Sequence, residues 1–150
     1  MIGLISDTHG LMRPEALAAL QGVSQIIHAG DVGSPEVLAA LRGVAPVTAI
    51  RGNVDHGRWV QGLPASRVVE VDGVLLYVLH DLGALDLDPA AAGFAAVISG
   101  HSHKPRVERR NEVLYINPGS AGPRRFKLPV SLALLSVERG RPTGNLVYLL

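Results

Sequence analysis

Ile2-Gly3-Leu4-Ile5-Ser6-Asp7-Thr8-His9 opens the chain with a short apolar run that ends on a carboxylate and an imidazole one residue apart. The same grammar returns four times. Val23 to His28 runs into Gly30-Asp31, and Val47 to Ile50 into Gly52-Asn53-Val54-Asp55. Val74 to Leu79 runs into His80, and Ala95 to Ser99 into Gly100-His101-Ser102-His103. Each run has the length of a buried strand, and each oxygen- or nitrogen-bearing side chain follows the strand's carboxyl end. In open α/β sheets that edge is where loops converge and ligands bind, so residues distant in sequence can meet in one crevice.

Helix signals fill the gaps between the first runs. Pro14 and Pro35 fit first helical turns, Ser34 is an N-cap candidate, and Gly22 and Gly43 stand where carboxyl caps belong. These predict helices from about Pro14 to Leu20 and from Pro35 to Leu41, between strands Ile2 to Ser6, Gln25 to Ala29 and Val47 to Ile50. Strands alternating with helices argue for parallel pairing through right-handed crossovers. The second half changes character, because Asp72-Gly73 between Arg67–Val71 and Val74–Leu79 is a two-residue hairpin signal. A short Ala-rich helix is expected from Asp88-Pro89, then a strand from Ala95 to Ser99. Arg106 to Arg109 should pair with Val113 to Ile116 around Arg110-Asn111-Glu112. Ser131 to Val137 and Asn145 to Tyr148 close the chain around a Gly/Pro turn at Arg139 to Gly144, and Gly57 to Ser66 reads as irregular.

A length of 150 residues at 47% hydrophobic content suits one domain, residues 1 to 150, with a sizeable core. The net charge of +1, with no basic tract, gives no electrostatic footprint for an obligate nucleic-acid partner, although a nucleotide substrate remains compatible. Cysteine is absent, which removes disulfides, thiolate zinc sites and cysteine nucleophiles. The site must therefore use oxygen and imidazole. No apolar stretch approaches the roughly 18 residues of a membrane span, and the amino terminus enters a strand before a cleavable leader could fit, so a cytoplasmic protein without a membrane partner is expected.

Carboxylate, amide and imidazole groups together suit Mn, Fe, Zn or Ni. Asp7, His9, Asp31, Asn53, His80, His101 and His103 exceed what one ion can use, so two divalent ions are expected. Asp7 and His9 can turn toward one ion, with His103 joining it while His101 faces the other, and a carboxylate can link the two by giving one oxygen to each. The order D-x-H, G-D, G-N-x-D, a lone H and G-H-x-H resembles the calcineurin-like metallophosphoesterases from Asp7 to His103, and the likeness continues in Asn117-Pro118-Gly119-Ser120. The compact length and the lack of histidine between Gly52 and Asp55 are similar to the small YfcE-type phosphodiesterase branch.

That resemblance implies an α/β fold, a four-layer α/β/β/α sandwich of two mixed sheets flanked by helices. It implies that Asp31 bridges the ions and that Asn53, His80 and His101 complete the second site, with Asp31 and Asn53 as the catalytic core. It also implies a hydrolase, most simply a phosphodiesterase acting on small phosphate esters through a hydroxide bridging two ions, without a phosphoenzyme. Substrate-binding residues, the native metal and any homo-oligomer stay open. Two rivals share the fold: a protein-interaction scaffold, as in a retromer subunit, and a metal-dependent nuclease.

Each motif alone has a plainer reading. Asp7 could cap a helix, Gly30-Asp31 and Gly52-Asn53 are common turns, and His80 could be a polar strand end. Gly100-His101-Ser102-His103 is more specific, and the conjunction in family order decides. His28 reads as packing or support for ligands, and His56 as an exposed loop residue that is also a candidate proton donor. Arg124-Arg125 could contact a phosphate or be solvated. Val54 stands where larger relatives carry an imidazole, leaving Asp55 without a ring to orient, and His80-Asp81-Leu82 replaces the His-Gly-His of the YfcE-type branch.

Overall fold

A computed structural model describes residues 1–150. The first half builds β1 (Ile2–Ile5), α1 (Pro14–Ala19), β2 (Gln25–His28), α2 (Pro35–Arg42) and β3 (Val47–Ala49). The three strands pair in parallel, as strand and helix alternation requires. The second half builds β4 (Ser66–Val71), β5 (Val74–Leu79), β6 (Phe94–Ile98), β7 (Arg106–Arg110), β8 (Val113–Asn117), β9 (Ser131–Glu138) and β10 (Arg141–Tyr148). One sheet runs β10-β9-β1-β2-β3 and the other β4-β5-β6-β8-β7. Both are mixed, each with three parallel strands: β1, β2 and β3 in the first, and β5, β6 and β8 in the second.

Alternation along the strands sorts the apolar side chains into two main clusters. Leu4, Ile27 and Ile50 of the first sheet meet Leu76, Val78, Ile98, Leu114 and Ile116 of the second, closing the sandwich. Ile5 and Ile26 face the other way, where Ala16 and Leu20 of α1 and Val37, Leu38 and Leu41 of α2 cover them. Pro14 and Pro35 occupy the first helical turns as expected, while the Ser34 N-cap makes no side-chain hydrogen bond.

The sandwich of two mixed sheets is the expected one, and both α-helices lie on the first sheet. On the outer face of the second, a 3-10 turn at Leu82–Ala84 lays Leu82 and Leu85 against Leu79, Val97 and Val113. The helix expected from Asp88-Pro89 is not formed. Asp88 Oδ1 accepts the Ala90 and Ala91 N–H groups, but the chain bends at Gly93 (φ +85°) and enters β6 after one turn, too few residues to offset the cost of helix nucleation.

Asp72-Gly73 forms the expected hairpin turn, with φ +48° and +83°. Arg139-Gly140 does the same at +52° and +75°, so β10 starts earlier than the Gly/Pro signal suggested. Pro142 is accommodated because β10 is an edge strand. Gly144 is required for another reason: a Cβ there would lie 2.4 Å from Ile116 Cδ1 of the opposite sheet. The irregular segment after Asp55 holds one 3-10 turn, Arg58–Val60. It is pinned by Arg51, whose N–H and Nη1 donate to the Pro64 and Leu63 carbonyls. No helix is long and apolar enough to cross a membrane.

Candidate metal centre

The seven donors leave five strand ends: Asp7 and His9 after β1, Asp31 after β2, Asn53 after β3, His80 after β5, and His101 and His103 after β6. Ordinary residues avoid the left-handed region, where each costs about 1 kcal/mol or more. Five donors nevertheless sit there: Asp7 at φ +55°, His9 at +46°, Asp31 at +54°, His101 at +72° and His103 at +61°. A left-handed residue within a few positions of a strand's end turns the chain sharply and redirects its side chain. The glycines ahead of Asn53 and His101 answer to the same crowding. A Cβ on Gly52 would lie 2.3 Å from Asp31 Oδ1, and one on Gly100 would lie 2.0 Å from Ser6 Oγ and 2.7 Å from Asp7 Oδ2.

The donor atoms converge in two overlapping groups. Asp7 Oδ1 lies 3.7 Å from His9 Nε2 and 3.4 Å from His103 Nε2, and those two imidazole nitrogens are 3.3 Å apart. His80 Nε2 lies 3.1 Å from Asp31 Oδ2 and 3.8 Å from Asp7 Oδ1. Asn53 Nδ2 and His101 Nδ1 are 3.3 Å apart, and the His101 ring stands edge-on to His80 with centroids 5.2 Å apart. Asp7 therefore touches both groups, which spacing alone had put on one side. Asp31 uses Oδ1 to accept the Val54 N–H at 3.0 Å and faces His9 and His80 with Oδ2.

These separations fit ligands better than hydrogen-bonded partners. Nitrogen and oxygen atoms held about 2.0–2.2 Å from one ion lie roughly 3.0–3.6 Å from each other. Asp7 Oδ1 and His80 Nε2 are buried without a hydrogen-bond partner, the latter despite its 3.1 Å approach to Asp31. Buried polar atoms are ordinarily paired, so two unpaired ones at the centre of a donor cluster point to a cation as their partner. The chemistry of the set, carboxylate and imidazole with one amide, fits a borderline divalent metal.

Electrostatics divide the carboxylates. Burial pushes Asp7 up, against the Ser6 hydroxyl and the His80 and His103 rings. Burial acts on Asp31 in the same sense, but His80 and the Val54 N–H outweigh it and hold this carboxyl well below the usual range. His80 answers in kind, its desolvation outweighed by Asp31, the Ala29 carbonyl and Asp7, so its imidazole is raised. Burial lowers His103 despite Asp7, and Arg125 adds to the depression.

Neighbouring residues hold the donors. Ser6 Oγ and the His101 N–H both donate to Asp7 Oδ2, at 2.7 and 3.0 Å, which leaves Oδ1 for the cluster. His80 is oriented by Nδ1, 2.8 Å from the Ala29 carbonyl, as histidine ligands usually are by their second nitrogen. Asn117 donates to the Gly100 carbonyl and to Ser102 Oγ, and Ser120 Oγ to the Asp7 carbonyl, so the Asn117-to-Ser120 motif buttresses two ligand turns. Arg124 is turned away to the Leu128 carbonyl.

Asp55 is the residue that sequence reasoning misjudged. It is buried, and its carboxylate accepts three backbone N–H groups, from Val32 at 3.0 Å and from Gly33 and Gly52 at 2.9 Å. It orients loops and not an imidazole. The only sequence signal was an acidic residue retained after its ring partner was gone. His28 fits its supporting role: Nδ1 accepts the Gly30 N–H, so the proton is on Nε2 and meets Thr8 Oγ1, which donates onward to the Val32 carbonyl.

The comparisons with known proteins agree with this geometry. Residues 1–140 match the calcineurin-like phosphoesterase superfamily domain. A probable metallophosphoesterase of Methanocaldococcus jannaschii is 35% identical over 92% of the chain and 76% of its own length. The solved structure of an archaeal phosphodiesterase superposes with a TM-score of 0.80 at 25% identity, covering 97% of this chain and 99% of that one. Vps29 of Entamoeba histolytica, solved in complex with zinc, superposes at 0.75 with 21% identity over 99% and 98% of the two chains, a likeness of fold.

Two expectations follow. Complete burial pushes the His28 imidazole down to about 4, so the folded protein favours its neutral form. Its contribution is intact above the unfolded value near 6.5 and is lost as pH falls from there toward 4, by about 3 kcal/mol. Denaturant midpoints of metal-free wild type should fall more steeply across that window than those of His28→Gln, and parallel slopes would remove His28 as the cause. Asp55→Asn should lower stability by about 2 kcal/mol and weaken divalent-ion binding in calorimetry. A variant as stable as wild type would show that the three amides need no anion.

Proposed function

We propose that this chain, which belongs to the calcineurin-like phosphoesterase superfamily, is a single-domain phosphodiesterase working with two divalent ions. The observation that supports the reading is the convergence of Asp7, His9, Asp31, His80 and His103 from four strand ends, with Asp7 Oδ1 and His80 Nε2 buried and unpaired and the Asn53–His101 pair beside them. Asp7, His9 and His103 would hold one ion, Asn53, His80 and His101 the other, and Asp31 would serve both. Such a pair of ions supplies a nucleophile at neutral pH by acidifying water and offsets charge on the phosphoryl group. Mn, Ni, Fe or Zn suits the imidazole-rich set better than Mg.

The chain's own hydroxyls support water as the attacking group. Ser6 Oγ donates to Asp7, and Thr8 Oγ1 sits between His28 and the Val32 carbonyl, so each is committed to holding ligand loops. Protonation of the departing alcohol is the weak point. Val54, 44% exposed, occupies the position where larger relatives carry an imidazole. His56 is folded back, its Nδ1 2.8 Å from the Val54 carbonyl, which leaves only Nε2 to face solvent. The reading therefore favours esters with good leaving groups. Metal binding alone does not separate an enzyme from a scaffold of this fold, whereas hydrolysis does.

Chelator should abolish hydrolysis of bis(p-nitrophenyl) phosphate, and Mn or Ni should restore it more fully than Mg. Asp31→Ala should cost on the order of 10³-fold in kcat and weaken both ions together. Metal-stripped protein that hydrolyses the ester undiminished, with its metal content verified by elemental analysis, sinks the reading. For wild type, rate should fall steeply as the leaving alcohol becomes more basic. Val54→His should flatten that dependence by about 10²-fold for poor leaving groups, and His56→Ala reports whether the native loop already supplies a proton. A rate indifferent to leaving-group pKa, with chemistry rate-limiting, would contradict the missing-acid account.

A further inference from the structure

Two clefts open from the donor cluster, one on each side of Asp81. The first, of about 430 Å³, starts at His101 and passes Lys104 to run over Arg106, Glu108, Arg110 and Tyr115 on β7 and β8. The second, of about 390 Å³, starts at Asn53 and His80 and runs past Arg51 and Ser66 toward Tyr77 and Asp86. Both volumes are of the size that holds a small ligand. Asp81 is the only residue that lines both. The donors that would hold one ion are thus divided between the clefts, His101 on one wall and Asn53 with His80 on the other, so a group bound there faces both.

The clefts differ in charge. Lys104, Arg106 and Arg110 outnumber Asp81 and Glu108 in the first, while Asp81 and Asp86 outnumber Arg51 in the second. In the first cleft the cations are held in place. Glu108 pairs with both Arg106 and Arg110, and the Arg110 guanidinium lies 4.8 Å from the centre of the Tyr115 ring. Alternating charge on an edge strand such as β7 also serves to block sheet-to-sheet association. That explanation does not reach Lys104, which belongs to the turn carrying His101 and His103, nor Tyr115, which lies on β8.

A phosphodiester has two ester groups that diverge from one phosphorus, and this site has two clefts that diverge from one donor cluster. We propose that the clefts seat those two groups, and that the substrate is an unsymmetrical phosphodiester with its anionic ester group on the Lys104, Arg106 and Arg110 side and its neutral or cationic group on the Asp86 side. This rests on the phosphodiesterase reading above and adds to it the charge and orientation of the substrate. The phosphoryl group lies at the junction beside His80, His101 and Asp81. An anionic group laid along β7 meets two guanidinium forks and one ammonium, and a flat one finds the Tyr115 face.

The test uses metal-loaded protein and three p-nitrophenyl phosphodiesters whose second ester group is ethyl, 2-sulfonatoethyl or 2-(trimethylammonio)ethyl. Expected kcat/KM is about tenfold higher for the sulfonate than for the ethyl ester, carried mainly by KM, while the ammonium ester, with its cation free to seat on the Asp86 side, lacks the gain that Lys104 and Arg110 give the sulfonate. Lys104→Glu and Arg110→Ala should each compress the ratio of sulfonate to ethyl, Lys104→Glu to unity or below. Equal rates on the three esters in wild type, or variants that slow all three by one factor, overturn the proposal. A wild type that hydrolyses none of them fails at the phosphodiesterase reading instead. The cleft is then judged by titrating the same protein with 4-toluenesulfonate, an anionic ring that is not hydrolysed. Saturable amide shifts at Lys104, Arg110 and Tyr115 are expected, and their absence excludes an anion site there.

Discussion

The ligand loops after β2 and β3 are held together by an exchange of carboxylates for backbone amides. Asp55, on the β3 loop, accepts the N–H groups of Val32 and Gly33 from the β2 loop and of Gly52 from its own. Asp31, on the β2 loop, accepts the Val54 N–H in return. Each loop's acid thus satisfies the other's donors. The need is physical, because β3 is only three residues long and ends before its ladder could pair these amides, and buried amides left unpaired are costly. The exchange also sets the chemistry. With Oδ1 of Asp31 tied to a backbone amide, only Oδ2 turns toward His9 and His80.

What the exchange organises is expensive for the fold. Five donors hold left-handed backbone, and carboxylate and imidazole atoms lie buried without partners. Strain and desolvation of this kind collect at functional sites and are tolerated because the rest of the molecule over-determines them. Here the rest is a sandwich closed on both faces of the first sheet, by the second sheet on one side and by α1 and α2 on the other. The second sheet is covered on its outer face only by the Leu82 to Leu85 turn and its neighbours. That thinner cover is where the β7 and β8 cleft lies.

The sequence made the strand ends legible because buried strands and the residues that follow them are written in consecutive letters. Those letters alone put Asp7, Asp31 and His80 at one edge, and Asp72-Gly73 announced its turn. What it could not carry was relation across loops. Asp55 looked idle because its partners are backbone amides of residues with no polar side chain of their own, Val32, Gly33 and Gly52. Asp7 looked like one half of one site because its approach to His80 depends on how the two sheets stack. Local composition misled where length decides: Asp88 to Gly93 has the composition of a helix start and room for one turn, and Pro142 suggested a break that an edge strand does not need.

Charge sharpens the distinction between a diester and a monoester. Of the seven donors only Asp7 and Asp31 carry negative charge, because Asn53 is neutral where a carboxylate would also serve a divalent ion. Two divalent ions would therefore leave the centre with excess positive charge, which attracts any phosphate ester and prefers the more highly charged monoester. Selectivity for a diester cannot come from the ions. It has to come from contacts that a monoester lacks, and the second ester group is the only part of the substrate able to make them. On the proposed reading, two clefts that share one wall residue and differ in sign would supply such contacts, which would place the discrimination in Lys104, Arg110 and Asp86 outside the donor set. On that reading the family motif would set the reaction, and the residues beside it would set the substrate.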